Sequence, residues 1–263
     1  MPRFSANLGL LWRDRPLDEA IKAAAEAGFD AVECHWPFDV PVAELHAALK
    51  ETGLEMLGLN TRRGDVAAGD NGLAAVPKRE NEARAAIDEA LDYAASIRCP
   101  SVHVMAGRTR HLAISEQACF DQFIDNLRYG CAKAVRRHQT LLIEPLNPKD
   151  APDYFLNSLV LARRVIDAVG MPNLKLMFDC YHIALLEGEA AKNLQENLDI
   201  IGHIQFAGVP DRGHPDISSF DYASLFQMLD QIGYDRPLGA EYHPDDGDTN
   251  ASLDWLARWK NQA

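Results

Sequence analysis

Three carboxylates and one amide occupy matching places in the second half of the chain. Glu144 interrupts the apolar run LLIEPLN, Asp179 closes LKLMFD, Gln205 lies in GHIQFAG, and Glu241 follows Gly239 and Ala240 in LGAEYHP. Each run has the length and apolar content of a buried strand, and each ends in a group able to donate an oxygen ligand. His203 shares a strand face with Gln205 by the two-residue period and lies deeper, so a hydrogen-bonded core role and a ligand role are both open to it. A single acid at a strand end ordinarily caps a helix or meets a surface lysine. Four in step on successive strands point to one shared volume. Three carboxylates brought together raise one another's pKa unless a cation compensates them. Oxygen donors select a hard divalent ion, so Mg2+ or Mn2+ is expected; His182 and His203 keep Zn2+ or Co2+ open.

Such convergence needs a scaffold that brings distant strand ends together. Eight short apolar runs recur, at residues 5–10, 31–36, 55–60, 101–106, 140–145, 174–179, 203–208 and 238–243, each followed by a segment of helical periodicity. In residues 17–28, Ala20, Ile21, Ala24 and Ala27 follow the helical spacing before Gly28 stops it. Gly53, Gly170 and Gly233 stand at equivalent points before later strands, and the longest helices are expected at 80–97 and 116–138. Alternating strands and helices of this number predict an α/β fold, a single (β/α)8 barrel over residues 1–263, with its active site at the C-terminal ends of the strands. A doubly wound sheet is the alternative, but no GxGxxG follows the first strand. The longest irregular segment, residues 61–80, follows the third strand and is read as an active-site loop.

Composition narrows the partners. The chain has 263 residues, 47% hydrophobic and 25% charged, as in an ordinary globular protein. A formal charge of −13 opposes nucleic-acid backbones and favours small-molecule ligands. Five scattered cysteines with no CxxC pair suggest neither a disulfide framework nor a cysteine zinc site, and fit a reducing cytoplasm. The N-terminal residues contain no signal-peptide apolar region, and no membrane span is expected. Exposed apolar helix residues would leave a homo-oligomer open.

The segments LLIEPLN, FDCYHI, GHIQFAGVPDRGHP and GAEYHP resemble the metal-site segments of the hydroxypyruvate isomerase family, within the xylose-isomerase-like barrels. RFSANLGLLW, NGLAAVP and DNLRYGCA extend the resemblance over most of the chain. It implies that Glu144 and Glu241 are both metal ligands and the acid/base pair, and that Asp179 and Gln205 complete the metal site. His182 and Arg212 match positions that contact substrate in related sugar epimerases. Those epimerases commonly carry histidine where this chain has Gln205, which favours the hydroxypyruvate isomerase branch. His243 stands where some close relatives would have lysine.

The implied reaction moves a proton between adjacent carbons of a short hydroxy-keto acid, hydroxypyruvate to tartronate semialdehyde, through an enediolate. Its carboxylate needs a cation, and Arg62, Arg63, Arg108, Lys149 and Arg212 all fall in expected strand-to-helix loops. Trp12 and Trp36 are candidate pocket walls. Rival readings are a 2-oxo-tetronate isomerase or ketose 3-epimerase on the same barrel, a relative of endonuclease IV, and a non-enzymatic carbohydrate-binding barrel.

Overall fold

The computed structural model describes residues 2–109 and 113–260. Its strands are β1 (Phe4–Asn7), β2 (Ala31–Glu33), β3 (Glu55–Met56), β4 (Gly58–Asn60), β5 (Ser101–His103), β6 (Thr140–Ile143), β7 (Leu174–Asp179), β8 (Ile201–Phe206) and β9 (Leu238–Ala240). They pair in parallel in the order β3-β2-β1-β9-β8-β7-β6-β5-β4. β3 and β4 are one barrel strand interrupted at Leu57: β3 pairs with β2 and β4 with β5. Leu57 N–H donates to Val32 O at 2.8 Å and Cys34 N–H to Gly58 O at 3.1 Å, so the two ends of the sheet meet. The expected eight-stranded barrel therefore closes.

Parallel neighbours require a crossover, and helices supply it. These are α1 (Leu17–Ala27), α2 (Val42–Thr52), α3 (Glu80–Ser96), α4 (Glu116–Ala134), α5 (Leu159–Val169), α6 (Cys180–Leu186), α7 (Ala190–Glu196), α8 (Tyr222–Gln231) and α9 (Asp254–Lys260). The α1 stripe of Ala20, Ile21, Ala23 and Ala24 is buried, and the helix ends where Gly28 takes φ 92, a left-handed turn that suits glycine. A T-shaped aromatic cluster fixes the C-terminal helix to the barrel: Trp255 of α9 lies 5.1 Å from Phe4 of β1 and 5.4 Å from Phe206 of β8, ring centre to ring centre. The five cysteines are buried and free, and no helix among the described residues is long and apolar enough to cross a membrane.

Most strand ladders stop sooner than the apolar runs predict. After Asn7 the chain turns back, with the Leu10 and Leu11 N–H groups both donating to Asn7 O. β8 begins at Ile201 and ends at Phe206, because Gly208 pairs across a turn with Gly213. β9 ends at Ala240; the Glu241 N–H still donates to Phe206 O of β8 at 3.0 Å, and His243 N–H turns to Arg212 O at 2.7 Å. The consequence matters for chemistry: Glu144 and Glu241 stand one residue beyond β6 and β9, Asp179 ends β7, and Gln205 lies within β8. Residues 61–80 are anchored along their second half. Leu73, Ala74, Ala75 and Val76 are buried, Ala75 N–H donates to Ala106 O, and Asn126 of α4 donates to Ala74 O.

Candidate active site

Asp179 divides its carboxylate between two tasks. Oδ1 accepts the Tyr181 N–H at 2.9 Å and caps α6, while Oδ2 is buried with no hydrogen-bond partner. Glu144 Oε1 and Gln205 Oε1 are likewise buried and unpartnered. For Gln205 the cause is visible: its amide nitrogen donates to Glu33 Oε2 at 2.8 Å, which turns the carbonyl oxygen away from Glu33. A buried oxygen without a partner carries a desolvation cost that an ion would relieve. Three of the four expected ligands thus each present one such oxygen, and the donor set fits a hard divalent cation.

Glu241 is placed differently. Its Oε1 accepts from Asn7 Nδ2 at 2.9 Å and lies 2.8 Å from His35 Nε2, and its Oε2 accepts from Arg212 Nη2 at 2.8 Å. Arg212 Nη2 also lies 3.7 Å from Asp179 Oδ2, and its Nη1 lies 3.8 Å from Asp150. Burial would raise the Glu241 pKa, but Arg212 and His35 outweigh it and hold the group well below the usual carboxylate range. Burial dominates at Glu144, where Glu241 and Asp179 add repulsion, and its pKa stands well above normal. Burial also raises Asp179, to about 7, against the pull of Arg212. The two glutamates therefore favour opposite protonation states.

His182, Glu144 and Asp179 form a close group whose ligand atoms lie within 4.8 Å of one another. The imidazole's role is nonetheless that of a donor. The Asn147 backbone N–H donates to His182 Nδ1 at 3.2 Å, so in the neutral ring Nε2 carries the proton, directed toward Asp179 Oδ2 at 3.7 Å and Glu144 Oε1 at 4.0 Å. Burial lowers the His182 pKa to about 3 and keeps the ring neutral. His203 is a hydrogen-bonded core residue, with Nε2 3.1 and 3.2 Å from the two Glu33 oxygens.

The remaining candidates separate. Arg212 joins the acids; Arg62 does not, because its guanidinium is exposed and bound to Glu89 of α3 and to Asp39. Lys149 is exposed and donates to Pro210 O. Arg63 lies over the Trp36 ring, 4.0 Å from its centroid. Trp12 is buried against Phe29 and bonded to Asn250, a core residue in place of the pocket wall expected. Trp36 lines a cavity together with Gly9, Arg13 and His35.

Four residues belong to the site without having been singled out: Asn7, Glu33, His35 and His103. Glu33 gathers Ser5, His203 and Gln205 around one buried carboxylate. His103 is buried with both ring nitrogens unbonded, Nδ1 lying 3.7 Å from Glu144, and burial lowers its pKa to about 4. Gly239 is required beside them, since a Cβ there would run into the Glu33 carboxylate and Gln205 Cγ.

The raised carboxyls carry a measurable consequence. An ion must displace their protons, so the apparent affinity for Mn2+ is expected to rise with pH through about 7 and to fall about tenfold per pH unit per displaced proton below it. Calorimetry in buffers of different ionisation enthalpy counts the protons released. An affinity that is flat between about pH 6 and 8 would contradict this electrostatic picture.

The chain matches the xylose isomerase-like TIM barrel family over residues 21–259. It is 42% identical to a 2-oxo-tetronate isomerase of Cupriavidus necator, over 97% of this chain and 98% of that protein. It is 36% identical to the hydroxypyruvate isomerase of Escherichia coli K12, again over 97% and 98%. A crystal structure titled AP endonuclease, family 2, from Brucella melitensis superposes with a TM-score of 0.94 at 36% identity, covering 98% of this chain and 99% of that one. Family-wide coverage, near-complete alignment with two isomerases and a closed barrel agree: the chain belongs to the xylose isomerase-like TIM barrel family and is an isomerase.

Proposed function

We propose that the protein is a metal-assisted isomerase of short hydroxy-keto acids, with hydroxypyruvate and tartronate semialdehyde as the interconverted pair. The observation that carries this reading is that Glu144 and Asp179 bring carboxylate oxygens within 4.8 Å of each other, with Gln205 paired to Asp179 in the β7–β8 ladder, each of the three having a buried oxygen without a partner, beside an ionised Glu241. Glu144, Asp179, Gln205 and Glu241 would hold the ion. A bound divalent cation, Mg2+ or Mn2+ by the oxygen donor set, supplies Lewis-acid stabilisation of the oxyanion that develops on the substrate.

Hydroxypyruvate carries a hydroxymethyl carbon beside its keto carbon. Removing a proton from that carbon gives an enediolate. Adding a proton at the former keto carbon, while the hydroxyl proton passes to the former keto oxygen, gives the aldehyde, with no net change in protons or electrons. Glu241, held ionised by Arg212, Asn7 and His35, is suited to accept the carbon-bound proton. Glu144, the second buried glutamate of the site, would return one, and the roles reverse with direction. His182 Nε2–H offers a donor to a substrate hydroxyl.

A second reading is favoured by the 42% identity to a 2-oxo-tetronate isomerase: the same transfer on an acid one carbon longer. An endonuclease IV-like reading would need a basic path for a nucleic-acid backbone, which a net charge of −13 opposes.

Incubating each acid with the protein and Mn2+ in heavy water tests the proposal. Deuterium is expected in the substrate and product at carbon, and chelation is expected to lower the exchange by about 100-fold or more. Absence of exchange with both acids in metal-replete protein would sink it.

A further inference from the structure

The mouth of the barrel divides its cations unequally. Arg212, after β8, is surrounded by Glu241, Asp179 and Asp150. Counting β3 and β4 as one strand, the segment after β4 lies across the barrel from it, and there the pattern reverses. Arg63 and Arg108, both half-buried, have no acidic partner among the described residues. Among the described residues, Arg108 Nε is buried without a hydrogen-bond acceptor, and the Arg63 guanidinium is placed by its stacking contact with Trp36.

The two arginines are held near each other by backbone. Gly72 N–H donates to Arg63 O at 2.8 Å, and Gly72 bridges to Ala106, two residues before Arg108; Arg108 itself bridges to Tyr154. Burial lowers the Arg63 pKa, and the charge of Arg108 lowers it further, so the pair repels without compensation. Intervening side chains connect the pair to the acids. Trp36, beneath Arg63, packs against His35, whose Nε2 lies 2.8 Å from Glu241 Oε1, and the Tyr154 hydroxyl feels the Glu144 charge.

In a chain with 39 acidic and 26 basic residues, two adjacent guanidiniums without an acid call for an anion from outside. We propose that Arg63 and Arg108 together form the subsite that receives the substrate's carboxylate, while Arg212 compensates the enzyme's own acids. The inference rests on the isomerase reading above for the identity of the anion. It assigns the task to two of the five loop cations and orients the substrate, carboxylate toward β4 and β5 and reacting carbons toward β6 to β9.

The test uses glycerate, which keeps the carboxylate and both oxygens of hydroxypyruvate but has no keto group to react. Calorimetry is run on Mn2+-loaded wild type, Arg63→Gln, Arg108→Gln and the double variant, with Mn2+ affinity measured in parallel. Glycerate binding is expected to weaken roughly 10- to 100-fold for each arginine removed, with Mn2+ affinity unchanged. Turnover is then compared for hydroxypyruvate and for dihydroxyacetone, in which a hydroxymethyl replaces the carboxylate. KM is expected to rise for the acid and to stay level for the neutral sugar. Glycerate binding equal in wild type and double variant would overturn the subsite even if hydroxypyruvate is turned over. Arginine-dependent glycerate binding without isomerisation of either acid would keep the subsite and reject the isomerase reading.

Discussion

Glu144→Gln is expected to lower turnover by about 100- to 10,000-fold and, in metal-free protein, to raise the thermal midpoint. The two effects share one cause. Glu144 is buried, unpartnered at Oε1, and repelled by Glu241 and Asp179, which holds its folded pKa well above normal. A carboxyl with a raised folded pKa binds more protons folded than unfolded, so its contribution to stability falls as pH rises above the unfolded value of about 4.3. Glutamine removes that dependence, and the gain in midpoint over wild type should widen as pH rises from about 4.3 through the folded pKa. Glu241→Gln should cost activity similarly but have the opposite sign in stability, because Glu241 is ionised and bonded to Arg212, a contact to a charged group worth about 2 kcal/mol. Thermal melts at several pH values and turnover of hydroxypyruvate check all of this. Near-normal turnover in either variant would remove that residue from the chemistry, and equal melts for Glu144→Gln and wild type across pH would refute the electrostatic account.

The opposite fates of these two glutamates were not legible in the sequence, although their convergence was. LLIEPLN and LGAEYHP each show one acid after an apolar run, and nothing local distinguishes them. The difference is made by Asn7, His35 and Arg212, which approach Glu241 from distant segments. His182 is similar: its tautomer is set by the Asn147 backbone, 35 residues away. Barrel closure itself was readable, because eight alternating runs suffice to specify it. The ladder ends were not, since polar residues at the mouth continue an apolar run in sequence while the backbone already turns.

Glu33 and His35 could have been found by the rule that found Gln205. They are spaced by two within AVECHW, as His203 and Gln205 are within GHIQFAG, and His103 interrupts SVHVMA in the same way. Polar groups in the earlier strands face the same interior volume as those in the later ones. The expected metal-ligand set was therefore drawn from half of the barrel, and the other half supplies the hydrogen bonds that orient it. Glu33 is the clearest case, since its bond to the Gln205 amide leaves that residue's oxygen available as a ligand.

Arg212→Met should have the largest effect on the fold. The guanidinium lies 2.8 Å from Glu241 and 3.7 Å from Asp179, at a backbone φ of 59 that few side chains adopt without surrounding contacts. Without it the buried acids lose their compensating charge, and removing one partner of a buried pair typically costs about 3–5 kcal/mol. A divalent ion can replace that charge, since its stabilisation grows with its affinity for the folded state. The rise in melting midpoint on adding Mn2+ should therefore be larger in Arg212→Met than in wild type, even though turnover is lost. Combining it with Glu144→Gln should recover part of the loss, because one acid fewer then lacks compensation, and the two changes will not add. Additive effects, or a variant as stable as wild type without metal, would mean that Arg212 does not hold the acids together. Recovery by either removing an acid or adding a cation would instead identify charge balance as what the barrel mouth must maintain, with Arg212 and the ion as alternative means of maintaining it.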